Sequence, residues 1–278
     1  MRFLSYLLSL SLLSSGAFWL WKERPEVRAF VQNIVSKGEF HTLEARFSEE
    51  QIMTRESKNL LKDSKYSYLE PKLEFYPFAL FEVKYTKNNN KTAEGLLLWS
   101  LSDGELVLDT ASWDTTHGFE DCITQSADKN DFKILRALAK NRNYTLDRDK
   151  LSKELHIEND ILDNLIDNCR KKKLIVQKGN SYRLHLNEPK LTTTPETKID
   201  QWLVTKPYKN ANCISKKYSV SEIEKIAELA FDTDFTIRNV SEVYLPVYCI
   251  TVQNPDNTIL TTHWNALNGK RIFANRLH

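Results

Sequence analysis

The sequence predicts an α+β protein: two helix-plus-antiparallel-sheet units related as a tandem duplication, separated by a largely helical insert, after an N-terminal hydrophobic helix. Three observations lead there. An ordered set of anchor residues occurs twice at matching spacing, the apolar period turns helical between residues 131 and 187, and a 19-residue stretch near the start carries no charge. With 41% apolar and 27% charged residues the chain has a globular composition, and its 278 residues are better divided among two or three cores than packed into one. A net charge of +2 is too mild for the concentrated basic face of a polyanion binder.

Residues 1–24 read as a signal peptide or membrane anchor. Phe3 to Trp21 is uncharged, and as a helix it is roughly 28 Å long, enough to cross a bilayer core. Five serines and the small residues Ser15-Gly16-Ala17 suit cleavage after Ala17, whereas Phe18-Trp-Leu-Trp21 continues the apolar run as an interfacial belt. Orientation cues oppose each other. Arg2 and the α-amine before the segment favour export of the body; Lys22, Arg24 and Arg28 after it favour the cytoplasm. Residues 25–45 should hold an amphipathic helix and its exit, with Pro25 at a first helical position and Val27, Phe30, Val31 and Ile34 as its stripe.

The first unit spans 25–125 and the second 199–278. Phe47-Ser48 is followed by Ile52 as Tyr218-Ser219 is by Ile223. Pro77 and Pro246 each precede a valine by six residues (Val83, Val252), and Gly104 and Gly269 each follow a tryptophan by five (Trp99, Trp264). Pro to Trp is 22 residues in one and 18 in the other, a difference that falls in the turns Asn88–Lys91 and Asn254–Asn257. Period-two alternation puts Ala79, Phe81 and Val83 on one strand face, and Tyr248, Ile250 and Val252 on its counterpart. Gly95, Leu97 and Trp99 correspond to Leu260, Thr262 and Trp264 in the next strand. Asp103-Gly104 and Asn268-Gly269 are turn dipeptides. The second unit's helix, Ser221–Phe231, carries the stripe Ile223, Ile226, Ala227, Ala230 and Phe231.

The ending Trp264-Asn-Ala-Leu-Asn-Gly-Lys-Arg-Ile272 resembles the PepSY family, whose last strand reads Val-Asp-Ala-x-Thr-Gly-Glu-Ile. The likeness covers about 55 residues of the second unit and extends more weakly to Trp99-Ser-Leu-Ser-Asp-Gly-Glu-Leu106 in the first. Both units place Trp before the turn, with Asn265 or Ser100 where the family has Asp. The resemblance implies a secreted or membrane-anchored protein that restrains a peptidase, and it carries over no catalytic residue.

Residues 131–187 read as three helices, Phe132–Leu138, Asp147–Leu155 and Glu158–Arg170, and a hairpin turning at Lys178-Gly-Asn. Ile161, Leu162, Leu165, Ile166 and Cys169 are expected to face inward. The pattern Leu155-x-Ile157, helix, Leu174-Ile175 resembles winged helix-turn-helix domains. His156 and Lys173 replace two glycines common there, so their backbones must accept or avoid a left-handed conformation. The third helix presents Glu158, Asp160, Asp163 and Asp167 outward, which would repel a duplex. The run Arg170–Lys173 is explained by the helix C-terminus. Residues 188–198 form a polar, proline-punctuated linker, and Ile199–Val204 beyond it is expected to pack.

The chemistry is sparse. Cys122, Cys169, Cys213 and Cys249 are scattered without Cys-x-x-Cys, so no metal site is expected; Cys213 and Cys249 share the second unit and could pair if the chain is exported, which the sequence leaves open. His117, in Trp113–Cys122, is the one histidine with neighbouring candidate ligands. No motif marks a nucleophile, a metalloprotease or a phosphate loop. No catalytic residue and no cofactor are expected. The candidate contact residues are Trp99, Trp264 and Tyr244; Pro77, Gly104, Pro246 and Gly269 are structural anchors. The expectation is a membrane-tethered, non-enzymatic binding protein with a periplasmic body and an envelope partner such as a peptidase or cell-wall hydrolase. The alternatives are a cytoplasmic-facing regulator touching nucleic acid through the insert, and a hydrolase using the His117–Cys122 loop.

Overall fold

Phe75–Phe81 and Val243–Tyr248 are runs with almost no polar interruption, the signature of strands covered on both faces. In the computed structural model they lie side by side at the centre of the molecule. Residues 38–87, 91–141, 143–186, 189–231 and 234–272 are described. The N-terminal apolar segment and the amphipathic helix expected after Pro25 lie outside them. No helix among the described residues is long and apolar enough to cross a membrane.

The first part of the chain comprises β1 (Glu39–Leu43), α1 (Glu49–Leu60), β2 (Ser67–Tyr68), β3 (Lys72–Thr86), β4 (Thr92–Ser100), β5 (Leu106–Asp109) and β6 (Asp114–Thr115). It ends with α2 (Phe119–Thr124), and the insert follows with α3 (Lys129–Lys140), β7 (Thr145–Asp147), α4 (Arg148–Leu155), α5 (Asn159–Lys171), β8 (Ile175–Lys178) and β9 (Ser181–Leu184). The last part comprises β10 (Leu203–Pro207), β11 (Asn212–Cys213), α6 (Val220–Phe231), β12 (Phe235–Gln253), β13 (Ile259–Asn265) and β14 (Arg271–Ile272). Among the described residues eleven strands form one mixed sheet with β3 beside β12 at its heart, and β7-β9-β8 make a separate small sheet. The class is α+β, but the two sequence units share a single sheet.

Registers on the two sides of that sheet coincide. Ala79 lies opposite Trp99 and Val83 opposite Gly95; likewise Tyr248 lies opposite Trp264 and Val252 opposite Leu260. The third strands join at Trp99–Leu106 and Trp264–Arg271. β3 and β12 run antiparallel from Phe75–Pro246 to Tyr85–Phe235, and β2 lengthens the ladder at Tyr68–Val252. The turns repeat their bonds too. Leu101 N donates to Pro77 O at 3.0 Å and Ala266 N to Pro246 O at 3.1 Å; Ser100 N donates to Glu105 O at 3.0 Å and Asn265 N to Lys270 O at 2.9 Å.

The helices are exchanged. α1 starts at a capping box in which Ser48 and Gln51 bond each other's backbone, and α6 at the matching pair Ser219 and Glu222. Ile52 and Leu60 of α1 pack on Tyr248, Ile250, Val252 and Trp264, which belong to the hairpin of the later unit. Ile223, Ile226 and Ala227 of α6 join Ala79, Phe81, Val83, Leu97 and Trp99, the hairpin of the earlier one. Backbone bonds fix the exchange: Lys217 N and Tyr218 N both donate to Leu101 O, and Arg46 N and Phe47 N both donate to Ala266 O. Ala79 pairs with Glu242, and Tyr248 lies six residues on along the same strand, so both helices cover one face of the sheet.

The insert docks on that same face through α3: Phe132 meets Phe119 at 6.3 Å, Phe119 meets Trp99 at 5.0 Å, and Arg136 donates to Ala230 O of α6, which extends the core around Phe132, Leu135 and Leu162. His156 and Lys173 do take left-handed backbones, at φ 53° and 57°. Ile161, expected inward, is exposed, because the buried stripe of α5 is Leu162, Ile166 and Cys169. Lys172 ties α5 to the start of α3 by bonding Asp128 at 2.9 Å and the buried Asp131 at 2.5 Å. The stretch read as a linker is fixed on the sheet. Thr197 N donates to Leu96 O, its hydroxyl donates to Val107 O, and Tyr85 donates to Glu196, so it covers the outer edge of β4. Trp202, expected to pack, is 79% exposed. Within 25–45, Glu39–Leu43 is a strand held by β10.

The left-handed turn glycines follow from this packing. At Gly104 (φ 73°) an added Cβ would meet Ile123 Cδ1 at 2.7 Å and Tyr218 Cε2 at 3.1 Å. Gly104→Ala is therefore expected to lose about 1–3 kcal/mol in urea denaturation. Gly179→Ala, at φ 60° with open space around it, should lose only about 1 kcal/mol.

Candidate functional site

The face opposite the helices is built from the alternate residues of the same strands. Tyr76, Phe78, Leu80, Val243, Leu245 and Val247 form its apolar floor. A cavity of about 160 Å³ opens there, above the paired residues Tyr76 and Leu245 and between the two Trp-to-Gly turns. One wall is Ser100, Ser102 and Asp103; the other is Asn265 and Asn268, with Lys270 and Arg271 exposed at the rim. Trp113 closes one end, its ring edge-on to Phe78 at 5.7 Å, on a left-handed backbone of φ 58° that is uncommon for a non-glycine residue.

Two polar atoms in these walls are unpartnered among the described residues. Ser102, 5% exposed, has an unpaired hydroxyl, and Asn265, 1% exposed, an unpaired Nδ2. The Oδ1 of Asn265 accepts Leu267 N at 2.8 Å, and Ser100 Oγ accepts Ser102 N and Asp103 N at 3.2 Å each, which holds both turns in shape. Buried polar groups without partners are scarce in folded proteins because each costs about 1–3 kcal/mol.

Beside this groove a second cluster forms. Cys249 and His263 are cross-strand neighbours on β12 and β13, and Glu74 comes from β3 on the other side of β12. Their donor atoms all lie within 4.8 Å of one another. Glu74 accepts from Tyr76 OH at 3.1 Å and from Asn212 Nδ2 at 3.3 Å. Burial, with the Glu74 carboxylate nearby, pushes the Cys249 thiol up.

The residues expected to make contacts sit elsewhere. Trp99 and Trp264 are buried on the helix face, where Trp99 Nε1 donates to Gly104 O at 2.7 Å and Trp264 Nε1 to Thr262 Oγ1 at 2.8 Å. Tyr244 is buried against Phe40. These three support the turns and the sheet; the residues after each tryptophan, not the rings, reach the groove. The anchors Pro77, Gly104, Pro246 and Gly269 hold the turns, and Gly269 O accepts from Arg55. Cys213 pairs with Phe75, which faces with Pro246, and Cys249 lies three residues beyond Pro246. The two thiols are thus free and on opposite sides of the sheet, so the pairing left open by the sequence does not form. Cys122 is fully buried, and burial pushes its thiol far up, the opposite of an activated nucleophile. Comparison with known families, characterised proteins and solved structures returns no match to this chain.

Glu105, directly after Gly104, secures the first wall from below. Its carboxylate accepts from Thr116 Oγ1 at 2.7 Å, Gly118 N at 2.8 Å and Glu120 N at 3.1 Å, while burial lifts its pKa to about 7. A carboxyl raised from 4.5 holds its proton better in the folded chain. Its contribution to stability is complete below pH 4.5 and disappears as the pH climbs through 7. Chemical denaturation across this window should show stability falling by up to about 1.4 kcal/mol per pH unit, and Glu105→Gln should flatten that dependence.

Proposed function

We propose that this chain is a membrane-tethered, exported, non-enzymatic binding protein that holds a short segment of another envelope protein in the groove. Its body is a duplicated PepSY-like unit carrying a winged-helix insert. The duplication is supported by the matching strand registers, turn bonds and exchanged helices. The tether rests on the uncharged stretch Phe3–Trp21, and export on the PepSY resemblance and the short basic start.

The observation that carries binding is the pair of unpartnered groups, Ser102 Oγ and Asn265 Nδ2, over an aromatic floor. Ser102 and Asn265 both line this small cavity, with the unpaired hydroxyl and amide NH₂ buried just beneath its walls; such donors suit a peptide carbonyl or a carboxylate once a ligand parts the turns, and Lys270 and Arg271 at the rim favour an acidic segment. The insert supports a protein partner over nucleic acid. α5 presents Asp160 and Asp167 outward, and Asp163 is engaged by Arg148 at 2.7 and 2.5 Å.

A photo-crosslinking residue at Ser112, on the groove rim, should give one discrete adduct in intact cells, and one at Asp149 on the insert should not. Ser102→Ala removes a group with no partner among the described residues, so the adduct should fall several-fold while the melting temperature stays level or rises. Equal adducts at both positions, or an adduct indifferent to Ser102, would contradict the groove. For the compartment, Asp256→Cys in an exposed turn should react with a maleimide that cannot cross the inner membrane; full protection in intact cells would place the body in the cytoplasm.

A further inference from the structure

We propose that Glu74, Cys249 and His263 form a binding site for one divalent transition-metal ion of the zinc class. The site is independent of the groove's ligand and of the side of the membrane on which the body lies.

The three donors come from three adjacent strands, so the sheet sets their spacing. Cys249 and His263 are directly paired across β12 and β13, which places their Cβ atoms about 4.5–5.5 Å apart on one face. Glu74 approaches from β3, its Oε2 lying 4.0 Å from His263 Nε2. With every donor within 4.8 Å of the others, rotation of the side chains alone brings them to the distances of about 2.0–2.3 Å that a zinc ion requires. All three are half-buried, which limits competition from water and leaves an entry path.

The chemistry of the set selects the ion. One thiolate, one imidazole and one carboxylate suit zinc or cobalt; calcium and magnesium prefer oxygen donors alone. Three protein ligands leave a fourth tetrahedral position open to solvent or to a donor from a bound partner. Glu74 is oriented by Tyr76 and Asn212, the outer-shell bonding that metal carboxylates use. Tyr76 also lines the groove floor, so an ion would stiffen one side of it. In the ion-free protein the thiol is held up by burial and by the Glu74 charge, and an ion between the two groups reverses that repulsion. Lys72, exposed and two residues before Glu74 on the same strand, lowers the thiol in part and can swing into solvent.

The test uses the purified full-length chain with zinc or cobalt alone. One equivalent of cobalt should bind with a thiolate-to-metal absorption band in the near ultraviolet, and zinc should displace it. Cys249→Ser should abolish the band and weaken zinc at least tenfold. His263→Gln should weaken zinc comparably, Asn212→Ala should weaken it about tenfold or more, and Cys213→Ser should change nothing. Zinc should also raise the melting temperature of the wild type and not that of folded Cys249→Ser. A wild-type chain that gives no thiolate band, or a band that survives Cys249→Ser, overturns the site. Calcium or magnesium raising the melting temperature as much as zinc does would overturn its ion class.

Discussion

The antiparallel ladder between β3 and β12 is the constraint on which everything else rests. It runs from Tyr85–Phe235 to Phe75–Pro246, and β2 continues it to Ser67–Gln253. Both strands are covered on both faces, yet the faces differ: one is closed by helices, the other holds the groove and the Glu74 cluster. A slip of one residue would carry Phe81 and Ala79 to the groove side and Tyr76 and Phe78 under the helices. Neither set fits the other's surroundings, since Phe81 and Ala79 are fully buried beneath α6 and Tyr76 needs its bond to Glu74.

The exchange of helices follows from the ladder's geometry. Each long strand starts beside the far end of the other, so a helix placed just before it lies over the other unit's hairpin. Each Trp-to-Gly turn is then gripped by backbone donors from the segment that precedes the opposite helix: Leu101 by Lys217 and Tyr218, Ala266 by Arg46 and Phe47. Those same turns are the walls of the groove. Its width is accordingly set by contacts that span most of the chain, a rigid arrangement of the kind binding sites require. Neither half has a closed core by itself: without α6, Leu97 and Trp99 lose their cover, and without α1, Ile250 and Trp264 lose theirs.

Much of this was legible as pattern. Period-two alternation identified the helix-facing residues Ala79, Phe81, Val83, Tyr248, Ile250 and Val252, and turn chemistry identified Gly104 and Gly269. Left unread was what covers those residues. Periodicity tells which face of Ser221–Phe231 is apolar but not which hairpin it meets, because that depends on how two distant strands pair. The groove was missed for the complementary reason. Ser100, Ser102 and Asn265 lie on the face that alternation assigns by default, and their lack of partners exists only in three dimensions. The Cys249–His263 pair was implicit in the hairpin register, since both flank the residues assigned inward; Glu74, 175 positions before Cys249, was not. Ile161 was misplaced by counting every apolar residue of a helix as core, and the linker by equating polar with free: Thr197 is polar because it bonds a strand edge.

Amide hydrogen exchange on two core variants tests the exchanged-helix architecture most directly. Ile52→Ala removes a fully buried side chain from α1, and Ile223→Ala its counterpart from α6; each should cost roughly 2–5 kcal/mol. The account predicts that Ile52→Ala speeds exchange in β13, Ile259–Asn265, and spares β4, Thr92–Ser100, with the reverse for Ile223→Ala. Faster exchange confined to β4 in Ile52→Ala, or to β13 in Ile223→Ala, would mean that each helix covers its own hairpin and would contradict the account.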